Sequence, residues 1–150
     1  MSTGLEQLYQ QIILDHAKAR HGSPLREYDG AGRVGESHQL NPVCGDEITL
    51  RAGLAHGAVD SVSWDGAGCA ISMASASVLT DLVQGLPRDE VIALVDSFRE
   101  VMRSRGKIEA DEEVLGDAAA FSGVSRFPAR VKCAMLAWVA LEESLLAANT

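Results

Sequence analysis

A chain of 150 residues with 47% hydrophobic and 23% charged side chains is long enough to bury a hydrophobic core without disulfide staples, and residues 1–150 read as a single domain. Its 21 acidic and 13 basic residues leave a formal net charge of -8, a surface that repels phosphate backbones, so no nucleic-acid partner is expected. The opening Met1-Ser2-Thr3-Gly4-Leu5-Glu6-Gln7 has neither a basic leader nor an apolar core, and no apolar run approaches bilayer length. The expectation is a cytoplasmic protein with no membrane partner.

Residues 3 to 19 carry Leu5, Leu8, Ile12, Ile13 and His16 at the spacing of one helical face, which predicts an amphipathic first helix. A lone histidine on such a face reads as a hydrogen-bonded core or edge residue. From His21 to Gly35 backbone breakers replace any period, and a mobile loop is expected. Glu36 to Leu40 reads as a short strand, after which Asn41-Pro42 turns the chain and leaves Cys44 on a loop tip. Ile48, Leu50, Ala52 and Leu54 alternate with Glu47, Thr49, Arg51 and Gly53, the pattern of a half-buried strand. Past a turn at His56-Gly57, Asp60, Val62 and Trp64 fall on one face of a third strand and Val59, Ser61 and Ser63 on the other. The glycines of Asp65-Gly66-Ala67-Gly68 admit two readings, a turn needing positive φ or a backbone that lets an ion approach.

Ala70 to Gln84 reads as a helix stopped by Gly85 and Pro87, with Cys69 at its N-terminus. There the free amides and the helix dipole favour a thiolate. The small side chains Ala70, Ala74, Ser75 and Ala76 suggest close packing on the sheet. Pro87 opens another helix, whose buried face is Val91, Leu94, Val95, Phe98, Val101 and Met102. Gly106 to Glu113 is a polar connector, and Val114 to Phe121 a short apolar segment able to dock. Pro128 then begins a last helix, with Val131, Met135, Trp138, Val139, Glu142 and Leu145 on one face and Cys133 about a turn and a half in. The whole is an α+β pattern: an N-terminal helix, a small antiparallel sheet of about three strands, and a C-terminal group of helices packed on it.

The chemistry lies in three cysteines, an odd number that argues against a disulfide framework. Cys44 sits in Asn41-Pro42-Val43-Cys44-Gly45-Asp46, Cys69 in Gly66-Ala67-Gly68-Cys69-Ala70-Ile71-Ser72, and Cys133 in Arg130-Val131-Lys132-Cys133-Ala134. Three thiolates with the carboxylate of Asp46 make a four-ligand site suited to zinc, whereas calcium or magnesium would want oxygens. Such a site carries a formal charge of about -2 with a divalent ion, and Arg130 and Lys132 are candidates to offset it. The widely spaced ligands differ from the close Cys-x2-Cys pairs of structural zinc sites. Three unligated, buried cysteines are the bland alternative.

Taken together, these motifs, with Phe127-Pro128-Ala129 ahead of the third and Leu8 to His16 as the first helix, resemble the U-type iron-sulfur assembly proteins. The IscU branch places a histidine directly before the third cysteine. Here that position is Lys132, and the interval from Cys69 is longer, as in the SufU branch; the extra residues fall between Gly85 and Phe121. The resemblance implies the α+β IscU-like fold and a zinc protein that accepts sulfur from a pyridoxal-phosphate cysteine desulfurase of the SufS type. It implies Cys44, Asp46, Cys69 and Cys133 as ligands, with Cys44 the sulfur acceptor, released when a histidine of the desulfurase replaces it. Arg130 matches a supporting arginine, and a downstream iron-sulfur assembly scaffold receives the sulfur. Two alternatives stand beside this sulfurtransferase: a scaffold that builds an iron-sulfur cluster on the same ligands, and a non-catalytic domain in which zinc is a structural staple.

Overall fold

The computed structural model describes residues 4–148. Helix α1 (Gly4–Ala19) precedes three strands, β1 (Arg33–Asn41), β2 (Asp46–Ala55) and β3 (Ala58–Ala67), and then α2 (Ala70–Val83), α3 (Arg88–Arg103) and the short α4 (Glu112–Leu115). A 3-10 run over Gly116–Arg126 leads into the long α5 (Pro128–Ala148). The architecture is the α+β arrangement expected, with an antiparallel sheet in the order β1-β2-β3.

The strands run further than the alternation of side chains suggested. β1 begins at Arg33, so Gly35 belongs to the sheet and not to the loop before it, and β3 continues through Ala67. The second hairpin turns at His56 and Gly57, whose φ angles of 54 and 78 match the primed turns that suit strand twist. The face assignment in β3 needs correction. The register pairs Gly53 with Ser61 but Leu54 with Val59, so Asp60 is the extra residue of a bulge. Val59 therefore turns inward to join Val62 and Trp64, and Asp60 faces solvent. A simple period of two cannot anticipate a bulge.

The segment between α1 and β1 is fastened, not free. Trp64 donates its backbone N–H to Gly22 O at 3.0 Å and its indole N–H to His21 O at 2.7 Å. Ser63 Oγ accepts from the Arg26 amide at 3.0 Å. These bonds cover the outer side of β3, an edge strand whose polar backbone would otherwise invite pairing.

Helix α5 lies on β1 and β2 and also packs against α2 and α3. It comes so close to β1 that a Cβ at Gly35 would stand 1.8 Å from Ser144 O. Being covered on both sides, α5 buries a wider band than one stripe: Ala134, Ala137, Leu141 and Ala148 join Trp138 and Leu145. Val131, Met135, Val139 and Glu142, expected on the buried face, are only half-buried. Helix α2 likewise packs chiefly on α1 and α5 and less on the sheet. Its small residues thus serve helix-helix contact, with Ser75 Oγ donating to Ala134 O at 2.7 Å.

The inward stripe expected of α1 is also corrected. Leu5 and Leu8 are 48% and 54% exposed, Ile12 and Ile13 are half-buried, and His16 is the residue of α1 that is buried. Only the C-terminal half of α1 is seated deeply on α2. Its N-terminal half borders a groove shared with Ile108, Val124 and Phe127. Helix α3, by contrast, buries the six residues its period singled out.

At the centre, Trp138 stacks on Phe98 with centroids 4.3 Å apart and planes 13° from parallel, and Phe121 meets Phe98 edge-on at 6.0 Å. The Trp138 indole donates to Ser75 Oγ at 2.9 Å. Trp138→Ala should lower stability by about 3–5 kcal/mol. Trp138→Phe keeps a ring against Phe98 and should lose roughly half as much, since a net hydrogen bond is worth about 1 kcal/mol. Urea denaturation checks this; equal losses would mean that the stack contributes nothing.

Candidate metal centre

The hairpin joining β1 to β2 presents Cys44. Gly45 takes a φ of 77 and donates its N–H to Asn41 O at 2.7 Å, while Asn41 Oδ1 accepts from the Val43 amide at 3.2 Å. This side-chain bond two residues along is the usual way asparagine closes a turn. Cys44 is left exposed at the tip, and Asp46, the first residue of β2, is 2% exposed beneath it. Cys69 is the N-cap residue of α2, as its position before the helical run suggested. Cys133 lies buried in α5.

Hairpin, helix start and helix α5 converge on the Asp46 carboxylate. Its Oδ2 lies 3.2 Å from Cys44 Sγ and 3.6 Å from Cys69 Sγ, and Cys44 Sγ stands 3.5 Å from Cys133 Sγ. The donor atoms of Cys44, Asp46 and Cys133 are all within 4.8 Å of one another. Cys69 stands beside Asp46 at the edge of this tight trio. Two further donors fix the carboxylate: the Cys69 amide reaches Oδ1 at 2.9 Å and the Ser72 hydroxyl reaches Oδ2 at 2.6 Å.

Ser72, buried one helical turn past Cys69, was not singled out from sequence. The signal was available, because positions i and i+3 share a helix face. The glycine question is also decided by geometry. Gly68 does not adopt positive φ; instead, a Cβ there would lie 2.4 Å from Asp46 Oδ1. Its missing side chain makes room for the carboxylate.

Burial by itself would push the Asp46 carboxyl up. Hydrogen bonds from Cys133, Ser72, the Cys69 amide and Cys44 outweigh it and hold the group down at about 2, so it offers an anionic oxygen at any ordinary pH. Cys133 is pushed the other way, first by burial and then by Asp46 and the other two thiols. The crowding that keeps this thiol protonated is what a divalent cation relieves, since metal binding exchanges thiol protons for a positive charge. Zinc–sulfur bonds of about 2.3 Å at tetrahedral angles place two sulfurs about 3.8 Å apart. The 3.5 Å between Cys44 and Cys133 fits such a centre after a small adjustment. Arg130 stands with its guanidinium 5.3 Å over the Phe127 ring, and Lys132 borders a shallow depression with Leu40 and Val43.

Residues 8–134 match the family of the NifU-like N-terminal domain. The iron-sulfur cluster assembly scaffold protein IscU of Streptococcus pyogenes serotype M1 is 38% identical over 142 residues, 94% of this chain and 84% of its own. The zinc-dependent sulfurtransferase SufU of Bacillus subtilis is 38% identical over 147 residues, 96% and 93% of the two chains. A solved structure of a SUF-system iron-sulfur cluster assembly scaffold protein from Fervidobacterium islandicum is similar with a TM-score of 0.75 and 33% identity, over 93% of this chain and 98% of that one. A match over most of the chain, spanning the segments that gather the three cysteines and Asp46, places this protein in the NifU-like N-terminal domain family, among the IscU- and SufU-type proteins.

Proposed function

We propose that the chain acts in iron-sulfur cluster assembly as a zinc-dependent sulfurtransferase: Cys44 takes sulfur from the persulfide of a SufS-type cysteine desulfurase, and a downstream assembly scaffold receives it. The observation that supports this best is the unequal placement of the thiols around one carboxylate. Cys44 and Cys69 are both exposed and Cys133 is buried; of the two exposed thiols Cys44 hangs from a hairpin turn, whereas Cys69 stands at a helix start with its backbone tied to Asp46. An attacking sulfur must be accessible and ionised, and Cys44 has the geometry for it. The likeness to the Bacillus subtilis sulfurtransferase supports the same choice.

Bound zinc would be held by Cys44, Asp46, Cys69 and Cys133, and would supply the positive charge that keeps their sulfurs as thiolates at neutral pH. In the transfer, the Cys44 thiolate attacks the outer sulfur of the partner's persulfide. The partner's S–S bond breaks, its cysteine departs as a thiolate, and a new S–S bond forms on Cys44, so no oxidant or reductant is consumed. Asp46 is the weak ligand: a carboxylate shifts between one and two oxygens and tolerates exchange that a fourth thiolate resists. Arg130, three residues before Cys133 in the first turn of α5, is the cation proposed to offset the negative charge of the site.

Protein purified without oxygen should carry about one zinc per chain and no visible charge-transfer absorption. A stoichiometric iron-sulfur chromophore would favour the scaffold reading instead. Cys44→Ala should abolish stimulation of alanine release by a cognate desulfurase and the persulfide seen by mass spectrometry, while part of the zinc persists. Persulfide found chiefly on Cys69 or Cys133 would move the acceptor. Asp46→Cys should hold zinc at least as tightly as the parent yet stimulate less; parity in both measurements would remove ligand lability as the source of activity.

Gly68→Ala tests the support beneath the carboxylate. Its methyl displaces Asp46, and zinc affinity measured against a competing chelator should fall by about 10–100-fold, the size of effect that outer-shell changes have on metal sites. An unchanged affinity would show that the room left by Gly68 does not matter.

A further inference from the structure

A second group of metal-ligating side chains lies away from the cysteines. His16 in the last turn of α1, His21 just beyond it and Asp81 near the end of α2 bring one nitrogen or oxygen each to within 4.8 Å of the others. The chain reverses after α1, with Arg20 at a φ of 49, and this brings the His21 ring edge-on to His16 at 5.2 Å between centroids. Asp81 lies twelve residues past Cys69 in the sequence, about 18 Å along α2 at 1.5 Å per residue. The two clusters are separate.

The cluster is pre-arranged. His21 Nδ1 is 2.7 Å from Asp81 Oδ2. The buried Ser77, one turn before Asp81, holds both histidines: its Oγ accepts from the His21 amide at 2.9 Å and lies 2.7 Å from His16 Nδ1. The other ring nitrogen of His16, Nε2, lies 3.2 Å from Asp117 Oδ2. Whichever nitrogen of His16 binds an ion, the remaining one keeps a hydroxyl or carboxylate partner. That outer partner is what orients metal-bound histidines.

We propose that His16, His21 and Asp81 form a second site, for a divalent transition-metal ion of the zinc, nickel or ferrous class, with Asp117 as a further ligand or an outer partner. Two imidazoles and a carboxylate suit these ions and not calcium or magnesium. The carboxylates of Asp81 and Asp117 beside the two imidazoles attract a cation. The side chains of His21 and Asp81 are about half exposed, so an ion has access and water can complete its shell. With no thiolate, this site binds more weakly than the cysteine centre and fills after it.

The experiment uses the full chain with one equivalent of zinc already in place, dialysed against rising free zinc, with bound metal counted. A second equivalent should bind, and His21→Ala and Asp81→Asn should each weaken it at least about tenfold while leaving the first unchanged. On the unsubstituted protein, nitrogen-15 NMR should show the ring nitrogens of His16 and His21 shifting as the second equivalent binds, a readout independent of how the variants fold. Binding that stops at one equivalent overturns the proposal. So does a second step unmoved by both substitutions, or ring shifts confined to His38 or His56.

Discussion

The centre of this protein depends on one buried carboxylate that must remain charged. Asp46 begins β2 inside the molecule, where an unpaired anion is costly, and it is retained because the N-terminus of α2 supplies what water would have given. The amide of Cys69 and the hydroxyl of Ser72 reach its two oxygens. The start of a strand is thereby bound to the start of a helix. Cys44 and Cys69 inherit their positions from that junction, each being only a short stretch of backbone from it, and α5 brings Cys133 to it from the opposite side.

The packing of α5 makes the junction possible. Gly35 lets the helix approach β1 without an intervening side chain, and Ser144 fastens the helix to β2 by donating to Leu50 O at 3.0 Å. At the other face, the Phe98 and Trp138 rings fill the space toward α3. A helix held on two sides has little freedom to slide, and an interior packed at crystal-like density transmits rather than absorbs displacement. The buried Cys133 therefore stands at a fixed height relative to Asp46, whereas Cys44 hangs from an exposed hairpin tip.

Much of this was legible in the sequence where one physical rule acts alone. The stripe of α3 faces a single core, and all six of its residues are buried. Cys69 before an alanine-rich run does stand at a helix start, and Asn41-Pro42 does lead into the turn that carries Cys44. The readings that failed are those in which a second surface or a local irregularity intervened. Leu5 and Leu8 repeat at a helical period, yet α1 extends past the body it packs on, and no period reports where a neighbour ends. The face of α5 was drawn too narrow because it has two neighbours. Val59 changed sides at a bulge that leaves no mark in an alternating pattern. Around the cysteines, sequence singled out the three thiols and Asp46, which the fold does bring together, but not Ser72, whose hydroxyl binds Asp46 and also reaches Cys133 O and Cys69 Sγ.

The distribution of the candidate donors has a thermodynamic consequence that follows from chain connectivity. Cys44 and Asp46 come from one hairpin, Cys69 from a helix start and Cys133 from a helix near the end of the chain, so nothing short of the folded structure assembles them. An ion that binds the assembled set and not the unfolded chain stabilises the fold by its binding free energy. The fold also crowds these donors: burial, Asp46 and the neighbouring thiols push the Cys133 thiol up. A cation bound among them would relieve that crowding, and withdrawal of one donor would restore part of it. Of the three cysteines Cys44 is the one whose movement would disturb the least structure, because it hangs from a hairpin turn, whereas Cys69 stands at the start of α2 with its amide tied to Asp46 and Cys133 is set within α5. The same architecture that anchors Asp46, Cys69 and Cys133 on a strand start, a helix start and a helix leaves Cys44 the donor with the fewest structural ties.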